Sequence, residues 1–273
     1  MAAEVTGFFQ GAPEGLIVDG TAGGGGHLEA LCRSFPERSF LAVEKDPVFA
    51  RALQERYLDV TRVTVHTGSY IEIPSLLSSP AAGALFDLGL SSFQLDDPSR
   101  GFSHRTDGPL DMRFDTGSGE PLHEVLRSMT ESEIADVIYK YGQEGRSRKI
   151  AREIRRAMPL RTTLELRAAV MKAVGGNPVK PLARVFQAFR VFLNDELVQL
   201  DQLLAGLHIW LKPAAAVAFI TFHSLEDRAV KLLLRDSPNF QQTSPPWLLP
   251  SPDEIRENPR ARSARLRTGV RAG

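Results

Sequence analysis

The stretch Asp19-Gly20-Thr21-Ala22-Gly23-Gly24-Gly25-Gly26-His27 follows the apolar run Leu16-Ile17-Val18, and Glu44 closes a second apolar run 18 residues beyond Gly26. Four consecutive glycines leave a bare backbone that a ligand can touch directly. A carboxylate beside such a turn, here Asp19, suits a cation and repels pyrophosphate. Glu44 stands where an acid commonly accepts hydrogen bonds from both hydroxyls of a ribose.

Three ligand types use a glycine turn of this kind. A phosphate-cradling loop requires GxxxxGK[ST], but His27 and Leu28 stand where the lysine and hydroxyl should follow. A dinucleotide site prefers GxGxxG, a spacing broken by Ala22 when counted from Gly20 and by Glu29 when counted from Gly24. The third ligand, S-adenosylmethionine, has no phosphate and carries a positive sulfonium. The two acids and the turn together favour it over NAD, and a purely structural turn beside an exposed glutamate remains the plain alternative.

These residues need a scaffold that holds strand ends side by side. Short β-rich runs at Leu16–Asp19, Phe40–Glu44, Arg62–His66 and Ala84–Leu88 alternate with helical patterns, one near Leu28–Phe35 and one opened by Asp46-Pro47. That alternation predicts an α/β fold with a doubly wound parallel sheet, whose ligands bind at the carboxyl ends of the strands. The β pattern then stops. Residues 97–182 read as an inserted helical domain, with helices at Glu131–Tyr141, Ser147–Met158 and Thr163–Val174, so that 1–96 and 183–273 form the other domain. A long helix near Arg184–Leu211, a strand at Val217–Phe222 and a helix at Leu225–Leu234 follow, and the tail is rich in Pro and Arg.

The net charge of zero conceals a division along the chain. Residues 146–190 carry 12 Lys/Arg against 2 Asp/Glu, and residues 256–273 carry 6 against 1, whereas residues 1–145 carry 11 against 22. In the first basic block, Arg148, Arg152, Arg155 and Arg156 fall opposite the apolar stripe Ile150, Ile154 and Met158. Such a face is either simply solvated or fitted to a polyanion. No apolar run approaches the roughly 20 residues of a membrane span. The single cysteine, Cys32, excludes an internal disulfide framework, reads as a packed helix residue and suits a reducing, cytoplasmic setting. One cysteine and six scattered histidines offer no zinc spacing, so no metal is expected.

Five longer motifs occur in order: DLGLSSFQLDDPSRGFS (Asp87–Ser103), DGPLDMRFD (Asp107–Asp115), VFQAFRVFLNDEL (Val185–Leu197), ITFHSLEDR (Ile220–Arg228) and NPRARSARLR (Asn258–Arg267). Together they resemble the MraW (RsmH) family of bacterial 16S ribosomal RNA cytidine N4-methyltransferases, from about Glu4 to the end of the sequence. The resemblance implies a class I S-adenosylmethionine methyltransferase fold, Rossmann-like, with a helical substrate domain inserted after strand four. It implies a cytidine of the decoding region of 16S ribosomal RNA, in the small subunit, as substrate. Carried over by motif, the cofactor-binding positions are Gly25, Gly26, His27, Glu44, Tyr70, Asp87 and Gln94, with Tyr70 near the adenine and Glu44 on the ribose. The family usually has aspartate where Glu44 stands, phenylalanine at Tyr70, histidine at Lys180 and proline at Phe93. It also usually has an HxPVL segment before the point where this sequence starts.

Cytosine N4 is a poor nucleophile because its lone pair is delocalised, so catalysis must come from positioning and electrostatics. Asp87, in DLGLSS at the end of strand four, is the candidate catalytic acceptor. Ser244-Pro245-Pro246-Trp247 matches the [DNS]PP[YFW] motif of other amino-methyltransferases, but no apolar strand precedes it and it reads as a decoy. His223-Ser224 lacks the GxSxG context of a hydrolase and is expected to border the RNA cleft. Asp111, Arg113, Asn194, Asp195 and Glu226 are either functional or a buried polar network. The basic insert and the Arg-rich tail would grip phosphates. Two other classes remain open: a degenerate member serving as an RNA-binding assembly factor and, more distantly, a nicotinamide-dependent dehydrogenase. The oligomeric state is open, a homodimer included.

Overall fold

The computed structural model describes residues 1–273, which fold as two compact units: Met1–Gly89 with Leu197–Gly273, and Leu90–Glu196. In chain order the first unit begins with helix α1 (Ala2–Phe9), strand β1 (Ile17–Asp19), α2 (Gly26–Ser34), β2 (Phe40–Glu44), α3 (Pro47–Arg56), β3 (Val63–Thr67), the short α4 (Ile73–Leu76) and β4 (Ala81–Asp87). The second unit is helical, with α5 (Ser92–Asp96), α6 (Leu122–Ser128), α7 (Glu131–Gly142), α8 (Ser147–Ala157), α9 (Thr163–Val174) and α10 (Val179–Leu193). After it come α11 (Glu196–Gly206), β5 (Leu211–Thr221), α12 (Ser224–Asp236), β6 (Phe240–Gln242), α13 (Pro252–Glu257) and β7 (Arg265–Arg271).

The seven strands form one sheet in the order β3-β2-β1-β4-β5-β7-β6. β1 to β5 are parallel, and β7 runs antiparallel between β5 and β6. β1, β2 and most of β4 are buried along their length, as strands covered on both faces must be. Alternate residues feed opposite layers: Val18, Leu41, Val43 and Phe86 pack with α11 and α12, whereas Ile17, Phe40, Ala42 and Leu85 pack with α1, α2 and α3. This is the doubly wound α/β arrangement. The order in which strands are added reverses between β1 and β4, which opens a crevice at their carboxyl ends.

Local chemistry sets the element starts. Asp46 accepts from the Val48 N–H with Pro47 at the first helical position of α3, and Thr130 and Thr162 close capping boxes on α7 and α9 with Glu133 and Glu165. The second unit has its own core, in which Ile134, Ile138, Ile150, Ile154, Leu166, Val170, Val185 and Phe189 from four successive helices meet.

Three sequence expectations are corrected here. The helix expected over Arg184–Leu211 is two, because Asp195 takes a left-handed φ of 54° and the Asn194 side chain turns back to donate to the Met112 carbonyl and accept from the Phe114 N–H. The division of the chain consequently lies at Gly89/Leu90 and Glu196/Leu197 rather than at 96/97 and 182/183, placing α10 in the helical unit. The Arg-rich tail is not a phosphate-gripping extension throughout. It supplies β7, where Arg267 is 2% exposed and forms a two-pronged pair with Asp227 of α12.

Candidate active site

The carboxyl ends of β1, β2 and β4 are laced together by side chains around the glycine turn. Asp19, the last residue of β1, accepts the Thr21 N–H at Oδ1 (3.3 Å), and the Thr21 hydroxyl accepts the Asp87 N–H at the end of β4 (2.6 Å). Glu44, the last residue of β2, accepts the Gly23 N–H (2.6 Å) and the Asp46 N–H (2.7 Å), one on each oxygen. The glycines serve different needs. A Cβ at Gly20 would lie 2.3 Å from the Phe86 ring, and Gly25 caps α2 with a φ of +83° that disfavours a side chain. At Gly26 a Cβ would meet nothing within 4 Å, so the backbone can be approached openly at the helical end of the run.

The charge at this site is unbalanced. Burial, with added repulsion from Asp87 and Glu44, pushes the Asp19 carboxyl up to about 7 against the opposing Thr21 N–H. Asp87 is likewise raised to about 7, by the protein around it and by the Glu226 carboxylate, although a third of its side chain still faces an open space. Glu44 is raised by burial, in part offset by its two backbone donors. Burial lowers His27 to about 4, so its imidazole is neutral at pH 7. The His27 Nε2 lies 3.6 Å from Asp87 Oδ2, too far for a hydrogen bond. Asp19 Oδ2, Asp87 Oδ1 and His27 Nδ1 are buried and lack hydrogen-bond partners. Buried acceptors without partners are costly, and donors brought by a ligand would satisfy them. A cationic, donor-bearing ligand is the chemistry that fits them.

Gly25, Gly26, His27, Glu44 and Asp87 thus converge at one end of the sheet. Tyr70 follows β3 at the same end and meets the Phe86 ring edge-on at 6.0 Å. Gln94 belongs to the helical unit, where it is buried and its side chain closes a capping box with Ser91 at the start of α5. Thr21 is a participant that the motifs did not single out, whereas Glu226, an open candidate in the sequence, acts on Asp87 through its carboxylate.

The other candidates resolve as structure. His223 caps α12: its Nδ1 accepts the Glu226 N–H, while its Nε2 lies 3.0 Å from Glu226 Oε1 without a hydrogen bond, so the ring is committed to the helix start rather than to a hydrolase triad. Leu248 bridges to Leu266 of β7, which pairs with Ile220 of β5, which pairs with Asp87. Trp247 therefore lies three strands away from Asp87, over the Arg267 guanidinium at 5.4 Å, and Ser244–Trp247 is a decoy as expected. In the helical unit Asp111 and Arg113 form a two-pronged pair, and Asn194 ties Met112 and Phe114. The basic face of α8 is partly neutralised: Arg152 pairs with Glu131 and Arg156 with Glu153, whereas Arg148 and Lys149 are exposed without an ion pair.

A family model described as the MraW methylase family matches residues 1–271. The ribosomal RNA small subunit methyltransferase H of Coprothermobacter proteolyticus is 40% identical, with 98% of this chain and 93% of that protein aligned. The protein of the same name from Sorangium cellulosum is 41% identical over 100% of this chain and 90% of its own length, and that from Rubrobacter xylanophilus is 42% identical over 95% and 91%.

Proposed function

We propose, from the premise that this chain belongs to the MraW methylase family, that it transfers a methyl group from S-adenosylmethionine to N4 of a cytidine in the decoding region of small-subunit 16S ribosomal RNA, in the cytoplasm. The observation that carries the reading is the set of carboxylates around the glycine turn, two of them, Asp19 and Asp87, each with a buried oxygen that has no partner. Those acceptors fit a cation bearing hydrogen-bond donors and oppose a pyrophosphate.

When bound, S-adenosylmethionine supplies a methyl group attached to a positive sulfur. Gly25, Gly26 and His27 offer backbone at the bare helical end of the turn, and Glu44 keeps a lone pair on each oxygen for the ribose hydroxyls. Tyr70 lies on the adenine side. Asp87 accepts a hydrogen bond from the exocyclic amine, draws its lone pair out of the ring and takes the proton released on transfer, a task suited to a carboxyl titrating near neutrality. Arg148 and Lys149 hold phosphates of the RNA, while the cost of unstacking the target base, a few kcal/mol, is offset by backbone contacts.

The test is methyl incorporation from labelled S-adenosylmethionine, followed by mass spectrometry of the RNA nucleosides. N4-methylcytidine in assembled small subunits, in excess over naked 16S RNA, is expected. A methylated base other than cytosine would refute the site assignment, equal turnover on naked RNA would refute the subunit requirement, and cofactor binding with no product would identify a degenerate RNA-binding relative.

A further inference from the structure

The crevice wall carries more negative charge than its own cations balance. Asp19 is 1% exposed, and its Oδ2 has no partner; Asp87 Oδ1 is also buried without one. The groups facing this pair come from every surrounding element. They are Glu44 at the end of β2, itself beside Asp46 at the start of α3, His27 and Cys32 on α2, and Glu226, 3.0 Å from His223, on α12. The α-amine of Met1 adds a positive field, but it is itself paired with Glu254 of α13. His27 is neutral; the cations beside the turn are Arg56 of α3, which donates to the Gly24 carbonyl (3.3 Å), and Arg62, which donates to the Cys32 carbonyl (3.1 Å), and neither is bonded to Asp19 or Asp87.

We propose that Asp19 makes this pocket charge-selective, holding the cationic sulfonium donor in preference to the neutral thioether product, so that methyl transfer itself loosens the spent cofactor. The inference rests on reading the crevice as the methyl-donor site. In the transfer the amine lone pair forms the new C–N bond, the C–S pair returns to sulfur and the amine's proton passes to Asp87. The positive charge that had faced the carboxylates is then gone. A buried, ionised Asp19 beside an uncharged sulfur has no compensation, and it takes up a proton from solvent or expels the ligand. The adenosyl and amino-acid parts are common to both molecules, so the discrimination comes from charge alone.

Calorimetric titration of the whole protein with S-adenosylmethionine and with S-adenosylhomocysteine at pH 6 and pH 8 tests this. The donor's Kd is expected to tighten about tenfold as Asp19 ionises over that range, while the product's changes less than about twofold. Asp19→Asn, which keeps an oxygen for the Thr21 N–H, should flatten the donor's pH dependence and bring the two affinities within about threefold. Should that variant misfold, titration of the unaltered protein at pH 7 in buffers of different ionisation enthalpy gives the same answer: about half a proton released per donor and none per product. Donor and product affinities that move together with pH, or equal proton release, would overturn the proposal while leaving the methyltransferase reading intact. Binding of neither molecule at either pH would instead remove the functional reading beneath it.

Discussion

At Asp19 the free protein carries a charge that folding disfavours. A carboxyl raised in the folded state contributes most stability below its unfolded value, near 3.8, and that contribution is lost as pH rises through about 7. Asp19→Asn is therefore expected to stabilise the ligand-free protein at pH 8 by up to roughly 3–4 kcal/mol and to be near neutral at pH 4, read as the change in Tm at each pH. Glu44 behaves oppositely to a simple charge. Its two oxygens accept two backbone N–H groups, so Glu44→Gln turns an amide donor toward one of them. A loss of about 1–3 kcal/mol in denaturant unfolding is expected, larger than for an exposed Glu→Gln change such as at Glu55. At Asp87, the Asn variant should lower methyl transfer by about 10²–10⁴ while leaving donor binding within a few-fold; an unchanged single-turnover rate would exclude it as the proton acceptor.

Among the elements, β7 shows where sequence patterns mislead. Arg265-Leu266-Arg267 reads as a basic tail because each arginine counts as solvent-exposed, yet Arg267 is buried against Asp227 and under Trp247. The pattern of a strand was present, but its buried position is occupied by a cation whose partner sits on α12, forty residues earlier. Removing one partner, as in Asp227→Ala, leaves a buried guanidinium unpaired and is expected to cost about 3–5 kcal/mol, measured by urea unfolding; replacing both partners with apolar residues should cost less. The break between α10 and α11 escaped for a related reason, because Asn194 is held by backbone groups of a loop eighty residues away. By contrast β1, β2 and α9 could be read nearly to the residue, since burial on both faces or a capping box leaves a local signature. On α8 the periodicity identified a basic side but not its neutralisation by Glu131 and Glu153. Arg148→Glu with Lys149→Glu should reduce affinity for small-subunit RNA and flatten its logarithmic salt dependence by about 2, whereas Arg156→Glu should do less.

Across the whole molecule, the sheet order puts Asp19, Glu44, Tyr70 and Asp87 at one set of strand ends, which the alternation of short apolar runs with helices made legible before any contact was known. What the sequence could not display was the bonding among those residues: the Thr21 bridge, the double acceptor role of Glu44 and the field of Glu226 all depend on strands brought side by side. The same topology constrains manufacture. Residues 90–196 form an uninterrupted unit, whereas its host needs chain from both sides, and β6 has no neighbour until β7 slides in beside β5. During translation the helical unit should become protease-resistant while β4 is still waiting for β5 to join its open edge. Nascent chains arrested just before Arg265 are expected to yield that resistant fragment alone, leaving the crevice at the strand ends to form as the last act of synthesis.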